Sequence, residues 1–258
     1  MGKLDRRRRE ILELVAVSGF MTIDGLATHF DVTPQTIRRD INEMAEEGLI
    51  ARYHGGAASV STTENAAYTD RQVLNLDAKR KIAHLVARHI PEGASLFINI
   101  GTTTEEVARA LSEHKNLKII TNNLHVAQIC AANPGFEVII AGGVVRQRDF
   151  GIIGEATIDF ISQFKVDFAI IGISGVDEDG SLMDFDYREV RVARAIISNS
   201  RQTFLCTDVS KFGRRAMVRL GHLSEIDALF IDSHPGKSWN EVLENADISV
   251  YTSNQANN

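Results

Sequence analysis

The chain has 258 residues, 44% hydrophobic and 24% charged, enough to bury a core in each of two domains, which excludes a disordered tail, a collagen-like chain and a disulfide-stapled miniprotein. No run of about 18 apolar residues offers a membrane span, and the charged start (Met1 to Glu10) is unlike a secretory leader, so a cytoplasmic protein is expected. A net charge of −6 does not exclude a nucleic-acid partner, because a basic face need only be local; within residues 1–60, eight Lys and Arg stand against nine Asp and Glu.

Residues 6–18 set Ile11, Leu12, Leu14 and Val15 on one helical stripe that ends near Gly19. Thr22 is placed to cap a second, short helix with Leu26, Ala27 and Phe30 facing inward, and Asp31-Val32 then turns the chain. Thr33 is a good N-cap and Pro34 suits the first helical position, where its missing N–H costs nothing. A third helix is therefore predicted over 34–47, stopped by Gly48. On a helix at about 100° per residue, Ile37, Ile41 and Met44 share one side. Gln35, Arg39 and Asn42 lie nearly opposite, flanked by Arg38, with Thr36 close to the first turn. One face packs and the other carries long donors toward base edges and phosphates, the division that a recognition helix needs. Arg, Gln and Asn are the side chains that make paired contacts to guanine and adenine in the major groove. Residues 49–53 read as a short strand and His54-Gly55-Gly56 as the tip of a hairpin, a wing. The candidate DNA contacts are Thr33, Gln35, Thr36, Arg38, Arg39, Asn42 and His54.

The stretch Val32-Thr33-Pro34-Gln35-Thr36-Ile37-Arg38-Arg39-Asp40-Ile41, followed by Arg52-Tyr53-His54-Gly55-Gly56-Ala57, resembles the signature of the DeoR family of bacterial transcription regulators. The resemblance extends over essentially the whole chain. It implies a winged helix-turn-helix domain (1–57) that binds double-stranded operator DNA, followed by a sugar-phosphate-sensing domain. Thr33 stands where serine is commoner in the family, and either hydroxyl caps a helix.

From Ala57 the chain turns small and polar (Ala57-Ala58-Ser59-Val60-Ser61-Thr62-Thr63-Glu64-Asn65), and 58–76 reads as a linker. Apolar strand-like runs then follow at 95–100, 117–121, 137–141, 166–173, 203–207 and 228–232. Amphipathic stretches at 77–90, 104–111, 124–132 and 189–198 alternate with them. Strands separated by helices predict an α/β domain over 77–252 with a mostly parallel sheet covered on both faces. Cys130 and Cys206 stand far apart, with no Cys-x-x-Cys or Cys/His cluster, so neither a disulfide framework nor a metal site is predicted.

Ile98-Asn99-Ile100-Gly101-Thr102-Thr103-Thr104-Glu105 joins a strand to a helix. Its glycine lets the backbone approach a ligand, and a helix N-terminus with three hydroxyls is a natural anion site. Taken alone, the loop reads equally as an ordinary capped turn. It has neither the lysine of a Walker A loop nor Gly-x-Gly-x-x-Gly, so no nucleotide cofactor is predicted. Further small, polar strand ends occur at Thr121-Asn122-Asn123, Ala141-Gly142-Gly143, Gly154-Glu155 and Gly172-Ile173-Ser174-Gly175. Open parallel sheets bind ligands beyond the carboxyl ends of their strands. In Thr207-Asp208-Val209-Ser210-Lys211-Phe212-Gly213, Asp208 can accept from a hydroxyl and Lys211 can meet a phosphate as a compact charge, although such a pair alone is more often idle. The candidate effector contacts are Gly101, Thr102, Thr103, Thr121, Asn122, Gly142, Gly154, Gly172, Ser174, Asp208 and Lys211; no catalytic residue stands out.

The family resemblance implies a fold shared with ribose-5-phosphate isomerase and CoA transferases. It also implies that Gly101, Thr102 and Thr103 cradle a phosphate while Asp208 and Lys211 face the sugar. Residues 151–164, Phe185-Asp186-Tyr187-Arg188-Glu189-Val190-Arg191, Ile173-Ser174-Gly175-Val176-Asp177 and Lys211-Phe212-Gly213-Arg214 resemble the branch of the family that controls glycerol use. That branch implies glycerol 3-phosphate as inducer of a homo-oligomeric repressor, dimer or tetramer. Ala193 stands where many members carry lysine, which puts a ligand contact there in doubt. Arg188, Arg191 and Arg194 recur every third residue and read as a solvated or subunit-facing stripe rather than a second anion site. Two other readings stay open: a sugar-phosphate isomerase-like enzyme with Asp208 or Glu155 as base, and a repressor of another sugar-phosphate pathway.

Overall fold

The computed structural model describes residues 3–18, 20–47, 49–53, 55–58 and 68–253. The N-terminal module comprises α1 (Lys3–Ser18), β1 (Phe20–Thr22), α2 (Ile23–Phe30), α3 (Pro34–Glu46), β2 (Ala51–Tyr53) and β3 (Gly56–Ala58). Local chemistry sets its boundaries. The Thr22 hydroxyl accepts from Gly25 N at 3.0 Å to cap α2, Asp31 ends that helix in the left-handed region (φ 50°), and Thr33 caps α3 with Pro34 in its first turn. The three strands form an antiparallel sheet in the order β1-β3-β2. Strand β1 was not expected, since three residues are too few to show alternation, and the hairpin extends through Ala58, one residue beyond the predicted module. Ile11, Val15, Leu26, Ile37, Ile41, Met44 and Ile50 make the core, with Leu12, Leu14 and Phe30 packed partly buried against it.

The second domain begins with α4 (Tyr68–Val73), which lies inside the stretch expected to be linker, and α5 (Leu76–Ala87). There follow β4 (Ser95–Ile98), α6 (Thr102–Ala110), β5 (Lys118–Thr121), α7 (Leu124–Ala131), β6 (Glu137–Ile140), β7 (Val144–Val145), β8 (Ile152–Ile153) and α8 (Glu155–Ile161). The chain continues through β9 (Val166–Ile171), β10 (Gly175–Val176), β11 (Ser181–Asp184), α9 (Tyr187–Ser198) and β12 (Ser200–Thr207). It closes with β13 (Val218–His222), β14 (Ala228–Ile231), α10 (Asn240–Asn245) and β15 (Ser249–Thr252).

Seven strands form a wholly parallel sheet in the order β15-β14-β12-β9-β4-β5-β6. Successive side chains point to opposite faces. Thus Phe97, Ile120, Ala169, Ile171 and Leu205 join one core, while Leu96, Ile98, Ile119, Ile170 and Cys206 join the other. Burial on both faces is why these strands read as continuous apolar runs. A small antiparallel sheet, β10-β11-β13, and the β7–β8 pair lie outside the main sheet. From β4 the chain adds β5 and β6 on one side, then crosses to β9 and adds β12, β14 and β15 on the other. The strand order therefore reverses between β4 and β9, and the crevice beyond their carboxyl ends is where such a sheet takes a ligand. Among the described residues, no helix is long and apolar enough to cross a membrane.

Candidate nucleic-acid interface and anion cleft

Helix α3 separates its faces cleanly. Ile37, Ile41 and Met44 are fully buried, whereas Gln35, Arg38 and Arg39 are exposed. Arg38 and Asn42 line a groove between α3 and the β2–β3 hairpin, and Arg52 of β2 lines it from the other side. Gly55, with φ +93°, makes the hairpin turn in a conformation that suits only glycine well. Arg39 is engaged locally, its Nε donating to Glu43 Oε1 at 2.9 Å. Thr33 and Thr36 serve the cap: Thr33 Oγ1 accepts from Thr36 N at 3.3 Å and lies 2.9 Å from Thr36 Oγ1. His54 lies outside the described residues.

Asp40 is 1% exposed on the packed side of α3. Arg7 Nε donates to its Oδ2 at 2.6 Å, Arg8 lies 3.7 Å from its other oxygen, and Arg8 also pairs with Glu43. A buried charge survives only when paired, so two of the four N-terminal arginines act as braces that hold α1 on α3. The sequence pattern gave no sign of this, because Arg7 and Arg8 sit more than thirty positions from their partners.

At the switch point, Gly101 (φ +155°) starts α6 with no side chain capping it. The first N–H groups of a helix have no intrahelical acceptor, and its dipole favours an anion there. The buried Thr104 hydroxyl donates to Asn99 O at 2.7 Å and to Gly101 O at 2.8 Å, pinning the loop. A cleft enclosing about 40 Å³ opens beside it. Its lining combines Gly101, Thr102 and Thr103 from β4–α6 with Gly172, Ile173 and Ser174 after β9, and Asp208 and Lys211 after β12. Asp184 and Glu189 enter from β11 and α9, and Arg71, Leu74 and Lys79 from α4 and α5.

Burial dominates the electrostatics of this cleft, which gathers three cations and three carboxylates. Burial, together with repulsion from Arg214, Lys79 and Arg71, lowers the Lys211 ammonium to about 7 against the opposing pull of Asp208. Burial likewise lowers Lys79 to about 8. Burial pushes the Asp208 carboxyl up, but Lys211, Ser210 and Lys79 together hold it below its usual range. Asp208 Oδ1 accepts from Ser210 N at 3.0 Å, from the Ser210 hydroxyl and from Asn75 Nδ2 at 3.1 Å. Burial raises Asp184, which accepts from Ser174 Oγ at 3.0 Å and Phe185 N at 2.7 Å. Burial and the neighbouring Asp184 raise Glu189 to about 7, opposed by Arg146, whose guanidinium also engages Asp149 and Asp186.

Of the residues singled out from the sequence, Gly101, Thr102, Thr103, Gly172, Ser174, Asp208 and Lys211 converge on this cleft. Thr121, Asn122, Gly142 and Gly154 lie outside its lining. The Thr121 hydroxyl donates to Ile98 O at 2.6 Å, and Asn122 Nδ2 donates to Ile152 O at 3.0 Å. Gly142 O accepts from Thr157 at 2.9 Å, and Gly154 begins α8. Ala193 is buried in the core. Arg188 and Arg194 are exposed, as a solvated stripe would be; Arg188 pairs with Asp186 at the start of its own helix, Arg191 with Glu155, and Arg194 donates to Leu220 O at 2.6 Å. Sequence reasoning missed Arg52, Arg71, Lys79, Asp184 and Glu189. Lys79 alone carried a signal, since it stands three, four and seven positions before Ile82, Ala83 and Val86 on the buried face of α5.

The description "DeoR-like helix-turn-helix domain" matches residues 7–63, and "DeoR C terminal sensor domain" matches residues 74–233. The chain is 52% identical over 248 residues to the glycerol-3-phosphate regulon repressor of Escherichia coli (strain K12), covering 96% of this chain and 98% of that protein. It is 54% identical over 233 residues to the protein of the same name from Haemophilus influenzae, covering 90% and 91% of the two chains. The HTH-type transcriptional repressor CsqR of Escherichia coli is 41% identical over 244 residues, 95% of this chain and 94% of that one. Among solved structures, ribose 5-phosphate isomerase A from Methanocaldococcus jannaschii is similar at a TM-score of 0.40 and 16% identity, over 54% of this chain and 55% of that one.

Proposed function

The chain belongs to the DeoR family of transcription regulators, and from that premise we propose that it represses genes of glycerol and glycerol 3-phosphate metabolism and leaves operator DNA when glycerol 3-phosphate fills the cleft. One observation carries the reading: a single chain joins an exposed, donor-bearing helix to a buried polar cleft, lined by a helix N-terminus and two lysines, at the switch point of a parallel sheet. In this reading α3 enters the major groove, with Arg38, Gln35 and Asn42 toward base edges and Arg52 of the wing on phosphate. A homo-oligomer sets two such helices about 34–36 Å apart, in successive grooves. The phosphate of the inducer sits on the α6 N-terminus within reach of Lys211 and Lys79, and Asp208 and Ser174 meet its hydroxyls.

Release follows from linkage. The inducer loosens DNA only by binding the DNA-incompatible state more tightly, and DNA weakens the inducer by the same factor; a coupling of about 1–3 kcal/mol gives roughly 5–150-fold. In this reading the cleft serves sensing rather than turnover, with the Asp208 carboxylate held in place by Asn75 and Ser210. A mobility shift on DNA upstream of glycerol-use genes, titrated in parallel with glycerol 3-phosphate, ribose 5-phosphate and fructose phosphates, tests this. Release by glycerol 3-phosphate alone is expected. Release by another sugar phosphate alone, or turnover of any of them by the purified protein, overturns it.

A further inference from the structure

Residues 64–73 fall between the two matched stretches, yet they end in α4, and α4 is built into the cleft. Tyr68 Oη donates to Glu105 Oε2 at 2.8 Å and accepts from Gln72 Nε2 at 2.8 Å, while its ring stacks on His125 with centroids 5.1 Å apart. Glu105 is buried in the first turn of α6, beside the threonines that line the cleft, and its other oxygen accepts from Asn123 at 3.1 Å. Lys79, itself in the lining and 4% exposed, turns back to donate to the carbonyls of Arg71 and Leu74, the latter at 2.6 Å. Asn75, held in the left-handed region (φ 53°), donates to Asp208 and, at 3.2 Å, to Ser210. Arg71 reaches the lining with its guanidinium 3.6 Å from Asp149 and 5.8 Å from the centroid of the Tyr68 ring.

An anion placed where Lys211 and Lys79 converge meets Arg71 as a third cation. Arg71 lines the same cleft as both lysines, with its guanidinium 3.6 Å from Asp149, and a planar guanidinium can meet a phosphate through paired, charge-assisted bonds. We propose that Arg71 is an effector ligand supplied by the segment connecting the two domains, which makes α4 the element through which a phosphorylated guest is felt by the DNA-binding module. The inference rests on the reading of the cleft as the effector site. Occupancy adds a bond between guest and α4 and fixes that helix against α6. Nine residues separate Ala58 of the wing from Tyr68, a reach of about 36 Å at most. Seating α4 therefore limits where the wing and recognition helix can stand, and gripping DNA in a different placement loosens the guest in return.

The test uses the full-length protein, with glycerol 3-phosphate as the probe, and measures binding by equilibrium dialysis and release by mobility shift. Arg71→Gln is expected to weaken glycerol 3-phosphate by about tenfold or more, and Arg71→Lys to recover part of that loss. Tyr68→Phe leaves the cleft lining in place; it is expected to keep glycerol 3-phosphate binding within about twofold while shrinking severalfold the factor by which the saturated protein loosens its operator. In the unmodified protein, amide hydrogen exchange over 68–73 is expected to slow when glycerol 3-phosphate binds. Lys211→Gln separates the two layers of the argument. If Lys211→Gln loses binding while Arg71→Gln binds as the parent does, the role of Arg71 is wrong and the cleft reading stands. If neither variant changes binding, the cleft reading falls as well. Unchanged exchange over 68–73, or a Tyr68→Phe protein with undiminished coupling, overturns the role of α4.

Discussion

Lys211 spends its burial on readiness. Burial and the nearby Arg214, Lys79 and Arg71 press on it, Asp208 relieves it, and its ammonium falls to about 7. A bound phosphate dianion stabilises the ammonium and raises that value, so above pH 7 binding must take up a proton and affinity falls as pH rises. Glu189, near 7, gains its charge over the same interval and pushes in the same direction. Below about 6 the phosphate monoester itself takes up a proton and loses half its charge. Affinity for glycerol 3-phosphate is therefore expected to peak between about pH 6 and 7, and calorimetric titrations from pH 5.5 to 9 in the parent and in Lys211→Gln check it; the alkaline decline flattens in the variant. Asp40 shows the opposite use of burial, as a fixed brace. Asp40→Asn leaves Arg7 and Arg8 without their shared carboxylate and is expected to destabilise the N-terminal module by on the order of 2–3 kcal/mol, read as a lower urea midpoint for that module.

Elements whose ends are set by neighbours in sequence were legible in advance. Helix α3 begins where Thr33 and Pro34 said it would, because an N-cap bond joins residues three apart, and the wing turns at Gly55 because the turn needs a positive φ. The six predicted strands recur within a few residues, since burial on both faces leaves a continuous apolar run. Helix α4 was not legible. Its sequence, YTDRQV, is under two turns long and amphipathic in no clear sense, and its anchors, Glu105 and Lys79, become neighbours only after folding. The same is true of Asp184 and Glu189, and of Arg52, which faces Arg38 and Asn42 across the groove only once the hairpin has closed. In the proposed reading Arg52 of the wing meets phosphate, which carries a distinct expectation. Arg52→Ala should weaken operator and unrelated DNA alike and reduce the slope of log affinity against log salt by about 1, in filter-binding series between 50 and 200 mM salt.

At the scale of the whole molecule, three cores support two candidate sites. The N-terminal module holds one core around α3, and the sheet carries a separate core on each face. Five separate stretches of chain meet at one small cleft beside the reversal of strand order between β4 and β9, which is why no local motif announced the full set. The sequence could name the loops at the strand ends, and seven of the eleven candidate residues converge there. It could not tell which strand ends lie next to the switch point, and Thr121, Asn122, Gly142 and Gly154 mark the difference.

Both cysteines, Cys130 on α7 and Cys206 on β12, are buried free thiols in the sheet domain, and burial lifts Cys130 to about 12. Alkylating reagents attack the thiolate, so modification waits for that domain to open and the rate becomes a clock for its opening alone, blind to fraying of the DNA-binding head. Glycerol 3-phosphate at about a hundred times its dissociation constant should slow this clock roughly a hundredfold, a stabilisation of about 2.7 kcal/mol. Mass spectrometry of the intact chain can read it without DNA, label or substitution.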